Sequence, residues 1–219
     1  MRYKHSSMPN KKPKEGTLSV WMSDDIFDRD ALAAILDTPV TAEGSRRGTA
    51  SYTLLEVFQS AKKKERGNAS RFIDDVMPRE RNTRWDVRFT SHWVDKMKAI
   101  NVAFQDACDL AESVRKMNPK CKRAKIEWHA MIVHPGSPDQ PSHVDDSSGE
   151  NLCYYTLIVP LTSNPDSGGT HFPVMNHVFR SFGGALVFDG GVTHAGLGNR
   201  SKEDRIFLYA AIFSNIDNN

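Results

Sequence analysis

The 219-residue chain sets 29 Lys and Arg against 27 Asp and Glu, a net charge of +2, with 39% apolar residues. This is the composition of an ordinary soluble globular chain, long enough for one sizeable core and too short for two comfortable domains. No run approaches transmembrane length, the start has no apolar signal region, and near-balanced charge leaves the partners open.

Residues 1–16, with Pro9, Pro13, Gly16 and five basic residues, are expected to form a flexible basic tail. The remainder, 17–219, is expected to be a single domain, with helical support over 28–120 and a β core over 123–213. A short strand is expected at Leu18–Met22, then a helix from Asp28, whose side chain can cap it, through Ala31, Leu32, Ile35 and Leu36. Thr38-Pro39 ends that helix. Segment 41–90 is charge-rich and hard to read, with a helix around Tyr52–Lys64 and basic residues at 62–66 and 79–88. A long helix is expected from Ser91 as N-cap, with Trp93, Met97, Ile100, Phe104, Ala107, Cys108, Ala111, Val114 and Met117 recurring at spacings of three and four. Asn118-Pro119 stops it.

After Lys125 the texture changes to short strands and Gly-rich turns. Strands are expected at 125–134, 143–146, 151–161, 170–174, 176–181, 185–189 and 204–213. Many short strands at close spacing indicate a sandwich or barrel. The fold class is therefore mainly β with flanking α-helices: an antiparallel double-stranded β-helix, or jelly roll, braced by the long helix.

The chemistry concentrates in this second half. Of the eight histidines only His143 has an acid two residues later, in His143-Val144-Asp145. On a strand, positions i and i+2 point to one side, so His143 and Asp145 can converge on one ion. A distant third ligand, His194, completes a 2-His-1-carboxylate set with open positions, the arrangement of non-haem Fe(II) oxygenases. Arg205 begins an apolar strand eleven residues later. A forked guanidinium there suits the far carboxylate of a 2-oxoglutarate cosubstrate, with Arg200, in a turn, as competitor. The structural alternative makes His143 and Asp145 a hydrogen-bonded turn. His134, at the end of the first core strand, can face the cosubstrate or be satisfied locally. In Tyr154-Tyr155-Thr156 either phase is possible, and Tyr155 is favoured to reach the cosubstrate. His171 can line the pocket, whereas His129 and His177 are expected to be structural or exposed. Cys108, Cys121 and Cys153 have no paired spacing; Cys108 and Cys153 are expected as small buried groups, and reduced thiols suit an intracellular protein.

The text His134-Pro135-Gly136, His143-Val144-Asp145 with Gly149 and Cys153, Gly168-Gly169-Thr170-His171-Phe172-Pro173, His194 and Arg205 resembles the Fe(II)/2-oxoglutarate-dependent dioxygenase superfamily. The nearest likeness is to its prolyl-hydroxylase-like branch, and residues 135–143 also resemble phytanoyl-CoA-dioxygenase-like proteins. The resemblance covers about 125–213. It implies Fe(II) on His143, Asp145 and His194, 2-oxoglutarate on Arg205, O2 as oxidant, and ascorbate as a reductant. His134 falls where prolyl hydroxylases often carry Tyr. The implied activity is hydroxylation of a C–H bond, with release of succinate and CO2, on a protein side chain, amino acid or small molecule. A nucleic-acid-modifying or demethylating member and a non-catalytic jelly-roll binding module are the alternatives. A soluble cytoplasmic or nuclear location, with no membrane partner, is expected.

Overall fold

A computed structural model describes residues 2–5, 19–45, 48–62, 72–79, 82–121, 123–145 and 153–213. In chain order these form β1 (Arg2–His5), β2 (Ser19–Ser23), α1 (Arg29–Asp37), β3 (Val40–Ser45), β4 (Gly48–Tyr52), α2 (Leu54–Lys62), β5 (Ile73–Arg79), β6 (Arg84–Phe89), α3 (Ser91–Ile100), α4 (Val102–Met117), β7 (Lys125–Val133), β8 (Cys153–Pro160), β9 (Thr170–Phe172), β10 (His177–Phe179), β11 (Ala185–Asp189), β12 (Ala195–Gly196) and β13 (Arg205–Phe213). The fold is mostly β. One eight-stranded, largely antiparallel sheet runs β1-β2-β11-β8-β13-β7-β6-β5, a three-stranded sheet runs β10-β9-β12, and β3-β4 pair separately. Among the described residues no helix is long and apolar enough to cross a membrane.

Strand β13 shows how one segment builds both faces of the large sheet. Ile206, Leu208, Ala210 and Ile212 enter the main core with residues of all four helices, whereas Phe207 and Tyr209 pack toward a second cluster around Phe172, Phe179 and Phe188. That is the period-2 alternation of a sheet covered on both sides. On β7 and β8 the same phase sends Trp128, Ala130, Ile132, Tyr155, Leu157 and Val159 toward the helices.

Both short helices open on the caps their sequence encodes. Asp28 accepts from the Ala31 amide at 3.0 Å and opens α1. Thr53 and Glu56 form a reciprocal capping box for α2, with Glu56 N–H donating to Thr53 Oγ1 at 3.2 Å and Thr53 N–H to Glu56 Oε2 at 2.8 Å.

Three expectations are corrected. Arg2–His5, inside the expected tail, pairs in parallel with Ser19–Met22. The helical support is interrupted by β3, β4, β5 and β6; β5 and β6 extend the large sheet beyond β7. The long helix is two helices. Thr90, not Ser91, caps α3, and Asn101 leaves the helical region (φ −132°, ψ 113°) to end α3 and cap α4. Its Oδ1 accepts from the Phe104 amide at 2.9 Å, and its Nδ2 donates to the Ala31 carbonyl at 2.7 Å. Ile100, assigned to the buried stripe, is 53% exposed beside the break. Asn101→Ala removes a cap and strands a part-buried carbonyl, so it should cost about 1–3 kcal/mol; a fall in the urea midpoint with unchanged slope is the expected readout.

Candidate metal centre

His143 and His194 form an isolated antiparallel bridge, each amide donating to the other's carbonyl at 2.9 Å. This reciprocal pair sets the two imidazoles side by side, with ring centroids 4.5 Å apart. Residue 143 is therefore held by a single bridge and not by the regular strand expected over 143–146. Asp145 follows at a bend, its amide donating to the Gly190 carbonyl at 2.9 Å. Ligating atoms of His143, Asp145 and His194 all lie within 4.8 Å of one another, with Asp145 Oδ1 at 3.8 Å from His143 Nε2 and 3.5 Å from His194 Nε2.

Hydrogen bonds behind the three groups set their chemical state. His143 Nδ1 lies 2.9 Å from the Pro141 carbonyl, and His194 Nδ1 lies 3.0 Å from the Val192 carbonyl. A carbonyl only accepts, so each Nδ1 carries the proton and each Nε2 offers its lone pair toward Asp145. Burial pushes the His194 imidazole below its ordinary range, with His143 adding to this and Asp145 and the Val192 carbonyl opposing. The neutral form that a metal requires is favoured. Thr156 Oγ1 donates to Asp145 Oδ2 at 2.6 Å, which leaves Oδ1 for the centre of the triad. His194 is only 6% exposed and packs against Phe188 and Phe172, while His143 lies at the surface.

Thr156→Val keeps the shape of this buried residue and removes the donor. Metal affinity should fall by about 10–100-fold, the usual scale for an outer-shell partner, with the thermal midpoint little changed. Equilibrium titration with Fe(II) checks it.

The triad opens into a cavity of about 830 Å³ that also takes in Arg79, Asp86, Glu127, His129, Thr156 and Tyr209. A small neighbouring cavity of about 30 Å³ is lined by Arg205, Thr162, Asn164 and Arg180. Ile158, Thr170 and Phe207 line both. Arg205 is buried beside the triad's cavity, not within its lining. Its Nη1 donates to the carbonyls of Ser167, Gly169 and Leu197 at 3.2–3.3 Å, and its guanidinium carbon lies 5.1 Å from the centroid of the Phe207 ring. Nε has no hydrogen-bond partner. Burial, with Arg84 nearby, brings the Arg205 guanidinium down to about 9. Gly168, at φ +94°, lets the loop close on this group, because a Cβ there would meet Nη1 at 2.7 Å. Arg200 is exposed.

Other expected site residues lie elsewhere. Tyr155 belongs to the helix-facing phase of β8, its hydroxyl 3.4 Å from Asn118 Nδ2; Cys153, Thr156 and Ile158 face the cavity instead. His134 is turned to Asp204, with Nδ1 2.8 Å from Oδ1, and packs near Phe58. Neither His134 nor His171 lines the cavity, and Cys153 is a half-buried wall residue. Gly149 falls outside the described residues, as do residues 63–66 of the basic run.

His129, expected to be structural or exposed, is one of several cavity residues that sequence reasoning missed, with Asp86, Glu127 and Tyr209. It lines the cavity and bonds Asp86 and Tyr209. The available signal was the alternation in Arg84-Trp85-Asp86-Val87-Arg88-Phe89, which marks β6 as a strand neighbouring β7.

No family model matches the sequence, and no curated protein matches it. Among solved structures, the chain is similar to the collagen prolyl hydroxylase of Paramecium bursaria Chlorella virus-1, solved as a 2OG complex: 15% identity, 89% of this chain and 95% of that chain covered, TM-score 0.52. A truncated form of the same viral enzyme aligns at 14% identity over 95% of this chain and all of that one, TM-score 0.50. A prolyl-4-hydroxylase of Pseudomonas putida aligns at 17% identity over 83% and 97% of the two chains, TM-score 0.47. The fold is therefore that of the viral collagen prolyl hydroxylase.

Proposed function

We propose that this chain is a prolyl-hydroxylase-like Fe(II)- and 2-oxoglutarate-dependent dioxygenase, with a jelly-roll core, that hydroxylates a C–H bond of a protein side chain or amino acid. The observation that carries this reading is the convergence of His143, Asp145 and His194 in the lining of a large cavity. The donors fit the metal: two imidazoles in the Nε2-donor tautomer and one carboxylate leave other positions open, as ferrous oxygenase sites require. The second group fits as well. Arg205 is buried with an unpartnered Nε and, among the described residues, has no carboxylate within ion-pair distance. A desolvated cation without a counter-ion is costly, and a dicarboxylate reaching from the metal would supply one.

Fe(II) with 2-oxoglutarate would supply the oxidising chemistry, one oxygen atom of O2 going to the succinate released with CO2 and the other to the new hydroxyl. The protein's contribution is orientation. Carbonyls of Pro141 and Val192 fix the imidazole tautomers, Thr156 fixes the carboxylate, Arg205 would hold the far end of the cosubstrate, and Phe172, Phe188 and Phe207 keep that side dry. The nucleic-acid reading has less support: Arg84 Nη2 donates to the carbonyls of Pro138, Gly196 and Leu197, and Arg88 pairs with Asp74 and Glu127.

Arg205→Ala should raise the KM for 2-oxoglutarate roughly 30-fold or more, from the 2–5 kcal/mol lost when one partner of a buried charge pair is truncated, while Fe(II) affinity survives. Arg200→Ala should change little. The reverse pattern would move the anchor to Arg200. The reaction itself is tested by incubating the protein with Fe(II), 2-oxoglutarate and pools of peptides, amino acids and methylated oligonucleotides. A gain of one oxygen in a peptide or amino acid supports the proposal, and demethylation of the oligonucleotide alone overturns it.

A further inference from the structure

Strands β6, β7 and β13 build a second polar wall of the same cavity. Tyr209 pairs with His129 across β13 and β7, and Arg88 pairs with His129 across β6 and β7, so Asp86 shares their face. Tyr209 Oη donates to Asp86 Oδ2 at 2.8 Å. His129 Nδ1 lies 2.8 Å from Asp86 Oδ1 and 3.0 Å from the Tyr209 hydroxyl, and the two rings stack at 4.5 Å. Burial alone would lower the His129 imidazole, but Asp86 and Glu127 hold it above its ordinary range. Burial, then Asp86, keeps the Tyr209 hydroxyl protonated.

The wall thus spends the Tyr209 proton and the His129 Nδ1 proton on Asp86 and keeps acceptors for the cavity. Tyr209 Oη retains its lone pairs. Glu127 Oε1 meets Lys125 Nζ at 2.6 Å, but Oε2 has Arg88 Nη1 at 3.7 Å and His129 Nε2 at 3.8 Å, both beyond hydrogen bonding. His129, foremost, with Lys125 and Arg88, holds the Glu127 carboxyl down to about 2 against burial. The wall sets two carboxylates, those of buried Asp86 and half-buried Glu127, on either side of the His129 imidazole. The cations facing them, Arg79, Arg88 and Lys125, are a third to over a half exposed, where solvent and salt screen them. Met77, Met131, Phe207 and Phe213 line the cavity nearby and suit a methylene stem.

We infer that the Glu127–His129–Asp86–Tyr209 wall orients the substrate by accepting hydrogen bonds from a cationic nitrogen, an amine or a guanidinium, carried on or beside the group that is oxidised. This rests on the metal-centred reading above, and Glu127 acts as a specificity-determining residue within it.

The test uses the whole protein with Fe(II) and 2-oxoglutarate under nitrogen, so that binding is measured without turnover. Calorimetry compares N-acetyl-lysine methylamide and N-acetyl-arginine methylamide with their side-chain-acetylated and citrulline counterparts, which have similar shape and no charge. The cationic probes should bind roughly tenfold or more tightly, the scale of one hydrogen bond to a charged group. Glu127→Gln should bring the ratio near one while Fe(II) affinity and the thermal midpoint stay unchanged. Tyr209→Phe should weaken the cationic probes by a smaller factor, and serves if the first variant folds poorly. Equal binding of the neutral probes, a preference that survives Glu127→Gln, or no binding of either cationic probe overturns the inference. Loss of Fe(II) binding by the unaltered protein would instead overturn the reading on which it rests.

Discussion

Replacing His143 by alanine should abolish turnover while leaving the fold in place. The side chain is 40% exposed, with one ring nitrogen on the Pro141 carbonyl, so truncation opens no cavity, and surface changes of this kind usually stay within about 0.5 kcal/mol. The bridge to His194 is made by backbone and survives. A metal held at the triad would lose one of three protein ligands, an effect larger than the roughly 10–100-fold cost of losing an outer-shell partner. Fe(II) affinity should fall by about 100-fold or more, with succinate production falling to background. His194→Ala should do the same at some cost in stability, because that ring packs against Phe172 and Phe188. Full succinate production by either variant would overturn the triad.

Phe104→Ala should produce the largest stability loss without touching the site. Phe104 is fully buried at the start of α4, edge-on to Trp93 at 5.3 Å and tilted against Trp128 of β7 at 5.1 Å. Trp93 in turn stacks on Phe89 of β6 at 3.8 Å. The ring thus joins both helices to the centre of the sheet, and its removal should cost roughly 3–5 kcal/mol, a large part of the 5–15 kcal/mol typical of a domain. Denaturant unfolding reads this directly, and Fe(II) binding by the folded fraction should be normal.

The convergence of His143, Asp145 and His194 was legible because its signature is local: one His-x-Asp, then a histidine in order along a strand-rich half. The β13 strand and the Asp28 cap were legible for the same reason, since period and cap chemistry lie within a few residues. The split at Asn101 was not, because the helical spacing runs through it without Pro or Gly. Only the Ala31 carbonyl, 70 residues away, explains why Asn turns out of the helix. Strand β5 was hidden by its composition, Ile-Asp-Asp-Val-Met-Pro-Arg, which an edge strand tolerates and a central one does not. The phase of β8 follows its pairing with β13, Ala211 opposite Thr156 and Ile212 opposite Tyr155, and a register shift at Ile212 and Phe213 separates Cys153 from that alternation. The Asp86–His129–Tyr209 network joins residues up to 123 positions apart, and strand register alone brings them together.

The measurement that bears most directly on the metal centre is release of labelled CO2 from 1-carbon-labelled 2-oxoglutarate by the unaltered protein, with and without Fe(II), beside Asp145→Ala. Asp145 supplies the carboxylate of the triad and makes no contact with Arg205, so this variant separates the metal from the cosubstrate anchor. Release that requires Fe(II), is matched by succinate and disappears in Asp145→Ala is the expected result. Release that is indifferent to Fe(II) or retained in full by Asp145→Ala, or no release from the Fe(II)-loaded protein with any substrate pool, would contradict it.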